Sequence, residues 1–188
     1  MTDGIAVLRC GNVSGDCQVV GGGNAEVQLE NVGGDCQVNG AAHLNVSSVG
    51  SDCRVQGNAA AEIAIGNVGS DLSVVGAARV ASGTIGGDCK LNDVQGTVTL
   101  GHIGGDATLF GVGGNLQVGN IGADAHLKGL HGNIQVSSIG ADLELQQADF
   151  PVGSITRLYI GSDARITLPD RGKPRIDAVG ELPKVCSS

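Results

Sequence analysis

Apolar and polar positions along this chain follow a short alternation that restarts about every nine residues. In Ile103–Asn120, IGGDATLFGVGGNLQVGN, two half-units are visible, Gly105-Asp-Ala-Thr-Leu109 and Gly114-Asn-Leu-Gln-Val118. Each is a glycine-polar corner followed by apolar-polar-apolar, the period-2 mark of a strand with one buried face. The next stretch, IGADAHLKGLHGNIQVSS, repeats it and turns Ala125, Leu127, Ile134 and Val136 inward. Upstream, the first strand of each unit places Cys17/Val19, Cys36/Val38, Cys53/Val55, Leu72/Val74 and Cys89/Leu91 on the buried side. The second places Val27/Leu29, Leu44/Val46, Ile63/Ile65 and Val98/Leu100 there, and Leu8/Cys10 fit the same slot ahead of Val13. No segment carries an i, i+3, i+4, i+7 apolar stripe, and glycine recurs every few residues at about 1 kcal/mol each in a helix. The pattern predicts short strands and no helix.

A longer period lies over this one. Val13-Ser-Gly-Asp16-Cys17-Gln-Val19 returns at Val32–Val38 and Val49–Val55, and the motif continues through Asp71, Asp88, Asp106, Asp124 and Asp142. The Asp-to-Asp steps are 19, 17, 19, 17, 18, 18 and 18 residues. Self-similarity at a fixed period of this kind signals a repeat architecture. Two strands of a few residues have no independent stability, whereas stacked units pair each strand with its equivalent one turn on, about 4.8 Å away. The sequence therefore predicts an all-β, parallel β-solenoid of about nine turns of ~18 residues, two short strands per turn, some 40 Å long at that spacing. Right-handed coiling is the expectation for parallel crossovers.

The repeat array is assigned to residues 1–145. Residues 146–188 are assigned to an irregular last turn, a C-terminal cap and a tail. Gln146–Pro151 breaks the composition, Ile155, Leu158 and Ile160 resume a strand-like pattern, and Pro169-Asp-Arg-Gly-Lys-Pro174-Arg is expected to end the array. Only four residues precede the first apolar strand, so the N-terminal turn is expected to be uncovered.

Composition sharpens the picture. Aromatic residues are 2% of the chain and Trp is absent, so the core rests on Val, Ile, Leu, Ala and Cys, which suit thin stacked β layers. The net charge of −8 argues against nucleic acid and anionic membrane surfaces, which need a basic face. No apolar run is long enough to span a bilayer, and the first residues carry no basic-then-apolar leader, so the expectation is a cytoplasmic protein.

The recurring Asp residues, Asp16, Asp35, Asp52, Asp71, Asp88, Asp106, Asp124 and Asp142, would form a column. At about 4.8 Å spacing, neighbouring carboxylates repel by roughly 1 kcal/mol in a water-like dielectric. Two explanations offset that cost. Gly-Asp is a turn signal whose carboxylate accepts backbone N–H bonds at the corner, or the row holds a cation such as Ca²⁺. The period-nine calcium repeat is not matched, so the corner role is favoured and no metal or other cofactor is assigned. Cys17, Cys36, Cys53 and Cys89 fall in a slot filled elsewhere by Leu72, Ala107, Ala125 and Leu143. They read as free buried thiols, in keeping with a reducing compartment. His43, His102, His126 and His131 occupy different repeat positions, and the sequence spacing of Ser, Cys and Asp around them does not suggest a triad, so no catalytic residue is assigned.

The Val/Ile-Gly-Gly-Asp-x-x-Val/Leu and Gly-Asn-Leu-x-Val units resemble the bacterial β-strand-repeat adhesin family over about residues 5–145. That resemblance implies a β-solenoid without established enzymatic residues. In size, and in lacking a signal, the chain is also similar to bactofilins, cytoskeletal solenoids that polymerise end to end. The expected function is a non-enzymatic structural module that binds its own kind through the uncovered N-terminal turn, as a dimer or filament. Ile5, Val7, Leu8, Cys10, Val13, Cys17 and Val19 would supply the apolar contact, since an open solenoid end is an unpaired edge. The rival expectation is a surface adhesion or ligand-binding solenoid that uses a lateral face or the Asp edge with Ca²⁺.

Overall fold

The computed structural model describes residues 6–148, 155–167 and 175–179. Seventeen strands make up the fold, with no helix among the described residues. They are β1 (Val7–Cys10), β2 (Cys17–Val32), β3 (Cys36–Val49), β4 (Cys53–Gln56), β5 (Glu62–Val68), β6 (Leu72–Ala77), β7 (Arg79–Ile85), β8 (Cys89–Val94) and β9 (Val98–Ile103). They continue as β10 (Ala107–Val112), β11 (Leu116–Ile121), β12 (Ala125–Leu130), β13 (Ile134–Ile139), β14 (Leu143–Gln146), β15 (Ile155–Ile160), β16 (Ala164–Thr167) and β17 (Arg175–Val179). Each strand pairs in parallel with its equivalent one turn on, as where Ala107 of β10 lies between Cys89 of β8 and Ala125 of β12. β2 and β3 each make a whole turn, β4 to β17 pair off into seven more, and β1 adds a half-turn at the start. The chain is a parallel β-solenoid of about nine turns.

Each regular strand buries its first, third and sixth residues. In β10 these are Ala107, Leu109 and Val112, and in β11 Leu116, Val118 and Ile121. The alternation alone predicts two inward residues per strand. The third arises because the chain bends between positions three and six and returns a side chain to the core. In the first strand of several turns the bend rests on a left-handed residue: Gly76, Gly111 and Gly129 have φ of 73°, 66° and 64°, and Asp93 takes the same place at 57°. Glycine suits this conformation because it has no Cβ to clash.

The variation in turn length sits on one side of the coil. Ten residues separate Cys17 from Val27 and eight separate Cys36 from Leu44, but nine separate Val27 from Cys36 and Leu44 from Cys53. The longer side absorbs its extra residues as register shifts between Val20 and Glu26.

Stacking runs past residue 145. β15 pairs with β13, β16 with β14 and β17 with β15. The proline-bearing stretch therefore does not end the coil, because Pro removes a donor only at its own position and Arg175–Val179 pairs again beyond it. The irregularity is a register shift: Val136 pairs with Leu158 but Ile139 with Ile160, so one bend residue is missing. The inward series there is Thr156, Leu158 and Ile160. The Thr156 hydroxyl is buried without a partner, as is that of Ser82, which stands in the core column between Ile65 and Leu100. Phe150, the two prolines at 169 and 174, and Cys186 lie outside the described residues.

Candidate functional site

The core is sealed in the middle of the coil and open at its first rung. Val27, Leu29 and Val32 are 1%, 3% and 1% exposed, whereas Leu8, which pairs with Val27, is 42% exposed. Cys10 and Val13, stacked on Leu29 and Val32, are only partly buried against the core. So are Cys17 and Val19, although their partners Cys36 and Val38 are sealed. The cause is geometric: an inward residue is covered by the rung on either side, and among the described residues these have a rung on one side only. Ile5 lies outside the described residues.

Two outward positions of this rung are apolar as well. Val20 is 75% exposed, and its column continues with Asn39 and Gln56; Val7 is 52% exposed, and its column continues with Glu26 and His43. The apolar surface therefore extends over the rim of the end. Periodicity reasoning passes over Val20, because an outward Val looks like an ordinary surface residue. Its column carries apolar residues further along as well, Val75 and Phe110 at 40% and 38% exposure, so Val20 stands out by its greater exposure and not by its type.

Ser14 also marks the end. It heads a column that continues Gly33, Gly50, Gly69, Gly86, Gly104, Gly122, Gly140 and Gly161. A Cβ on any of these glycines would collide with the backbone carbonyl of the column member one turn earlier. Among the described residues Ser14 alone of the column carries a side chain, and it alone has no turn beneath it.

The Asp column proves to be a hydrogen-bond ladder. The peptide N–H of Asp35 donates to Oδ1 of Asp16 at 2.9 Å, and that of Asp106 to Oδ1 of Asp88 at 2.8 Å. The same bond joins Asp52 to Asp35, Asp71 to Asp52, Asp88 to Asp71, Asp124 to Asp106, Asp142 to Asp124 and Asp163 to Asp142. Each carboxylate thus satisfies a corner amide one turn on, and a charge-assisted bond of this kind outweighs the repulsion between neighbours. Asn115 and Asn133 make the equivalent bond at 3.0 Å on the opposite corner. Among the described residues no three His, Cys, Asp or Glu side chains are grouped so as to hold a metal ion.

Cys10, Cys17, Cys36, Cys53 and Cys89 are free thiols. Burial, followed by the neighbouring Cys36, pushes the Cys17 thiol up from its ordinary value. Its hydrogen bond with Cys36, reinforced by burial, raises Cys53 strongly. Cys89 is pushed up to about 12, first by burial and then by the charge of Asp88. Cys53 and Cys89 are thereby held protonated, whereas the hydrogen bond with Cys53 lowers Cys36 despite its burial. His43 and His126 pair at the surface with Glu62 and Glu144 at 3.5 and 3.4 Å, each with one outward carboxylate. A lateral hollow is lined by Glu26, His43, Glu62 and Arg79 together with Ala64 and Ala81. No helix among the described residues is long and apolar enough to cross a membrane.

The fold and this end together define a parallel β-solenoid whose first described rung is apolar and exposed. No protein-family model, curated protein or solved structure matches the chain.

Proposed function

We propose that this protein is a non-enzymatic structural module that works by binding a second copy of itself through its N-terminal turn. The observation that carries the reading is the contrast between Leu8 and Val27, equivalent core residues at 42% and 1% exposure. An open solenoid end combines apolar side chains with unpaired strand N–H and C=O groups, and both are relieved by another strand edge. Val7 and Val20 extend the apolar area beyond the core section, and such rimmed apolar patches mark association sites. The partner is the chain itself. The acidic charge disfavours nucleic acid, and the free thiols suit a reducing, cytoplasmic compartment.

The lateral hollow at Glu26, His43, Glu62 and Arg79 supports a second reading, a polar ligand held on the side of the coil. It lacks aromatic side chains to stack a sugar or base, and it is weaker for that reason.

Sedimentation velocity over a concentration series tests the first reading. The expected result is a concentration-dependent oligomer that Leu8→Lys weakens at least about tenfold, since the lost burial of a Leu is of order 1.5–3 kcal/mol. A monomer at all micromolar concentrations, unaffected by Leu8→Lys, overturns it.

A further inference from the structure

The shape of the N-terminal end restricts how a second copy can sit on it. The end is a step: β1 lies on one side of the coil, and the Cys17–Val20 run of β2 lies half a turn further along on the other. Any partner must meet both edges, each at one strand spacing of about 4.8 Å.

Head-to-tail stacking has no matching open face among the described residues. Ile160 and Ile166, inward residues of β15 and β16 near that end, are 9% and 7% exposed, against 42% for Leu8, so the apolar edges left open belong to the N-terminal end. A two-fold pairing of β1 with the partner's β1 fails as well. It closes one edge and leaves a missing strand at the other.

One head-to-head arrangement closes both. A two-fold axis that brings β1 of each copy against the Cys17–Val20 run of the other matches the two steps, so both gaps equal one strand spacing. Inverting one coil against the other reverses its sense, so the strands meet antiparallel. In a single register all four residues of each edge are paired: Val7 with the partner's Val20, Leu8 with the partner's Val19, Arg9 with the partner's Gln18, and Cys10 with the partner's Cys17. The exposed outward valines then meet each other, Arg9 meets an amide, and the inward residues join the two cores. A shift by one residue would set inward residues against outward ones, and a shift by two leaves half of each edge unpaired. Resting on the self-association proposed above, we infer that the protein forms a head-to-head, two-fold dimer in which β1 pairs antiparallel with the Cys17–Val20 run of a second copy, in the register that sets Cys10 opposite the partner's Cys17.

Directly opposed residues on antiparallel strands have Cα atoms about 4.5–5.5 Å apart, inside the range a disulfide tolerates. The test uses the full chain carrying Cys186→Ser, with Cys10→Ser or Cys17→Ser added, each folded by circular dichroism. Diamide serves as oxidant and takes the two protons and two electrons that the thiol pair releases. The expected result is that neither variant alone gives a covalent dimer on a non-reducing gel, whereas their equimolar mixture cross-links about half its chains, the heterodimer share of random two-fold pairing. Mass spectrometry should find the bond between Cys10 of one variant and Cys17 of the other. A covalent dimer from the Cys10→Ser variant alone would place Cys17 against Cys17 and overturn the arrangement. A mixture that fails to cross-link while sedimentation reports a dimer overturns the arrangement and leaves self-association standing. A mixture that remains monomeric overturns both.

Discussion

At the scale of single residues, the recurring aspartate is best understood through the amide it serves. Oδ1 of Asp106 accepts the N–H of Asp124 at 3.0 Å, and its own N–H is taken by Asp88. Asp106→Ala should therefore leave a corner amide unsatisfied and cost about 1–2 kcal/mol in urea unfolding. Asp106→Asn should cost clearly less, because Asn115 already makes the same bond with an amide oxygen. Equal losses for the two variants would show that the charge matters more than the acceptor. Cys89 gives a pH dependence whose sign follows from its burial. The folded-state value of Cys89 is raised to about 12 from 9.0, while the hydrogen-bonded pair Cys36 and Cys53 shift in opposite directions. Between those values the unfolded chain loses thiol protons that the native state keeps, so stability is intact below pH 9 and falls as pH rises towards about 12. Unfolding curves at pH 8, 9.5 and 10.5 check this, and Cys89→Ala should flatten the fall. The corner role of Asp is legible in the sequence, because Gly-Asp is local turn chemistry. Its hydrogen-bond partner is not, because that partner stands 17 to 21 residues away along the chain.

At the scale of the strand and the turn, alternation identifies nearly every strand, and the first and third positions are where it puts them. The sixth is hidden from a period-2 reading, since the bend that turns Val112 inward passes through Gly111 with positive φ. Column alignment recovers part of what alternation misses. It separates Ser14 from the glycines that follow it in the column, a comparison that needs only the register. The glycine column yields the sharpest prediction here. A Cβ at Gly104 would strike the backbone carbonyl of Gly86, which cannot move without disturbing its own ladder. Gly104→Ala should lower stability by several kcal/mol by the overpacking and strain costs of a closed core, or prevent folding. The same change at Gly15, where a Cβ meets nothing within 4 Å, should fall within about 1 kcal/mol of the parent. A similar loss at both positions would contradict the stacking register.

At the scale of the whole molecule, a solenoid is nearly one-dimensional: each turn is held by its neighbours, and the ends carry what the middle cannot. The period of about 18 residues makes the architecture legible, because it follows from counting. The three strands beyond residue 145 are harder to see, since one missing bend residue and a proline-bearing stretch break the period before pairing resumes. The stepped outline of the N-terminal end appears only once the strands are in place, and it turns a general tendency to associate into a specific arrangement. The central claim, that this end is the association surface, is tested most directly by amide hydrogen exchange at two protein concentrations. Backbone amides of Val7–Cys10 and Cys17–Val20 should exchange slowly in concentrated protein and accelerate on dilution below the dissociation constant, while those of β10 and β11 stay equally protected. Exchange at both N-terminal edges that is fast and independent of concentration would contradict the account.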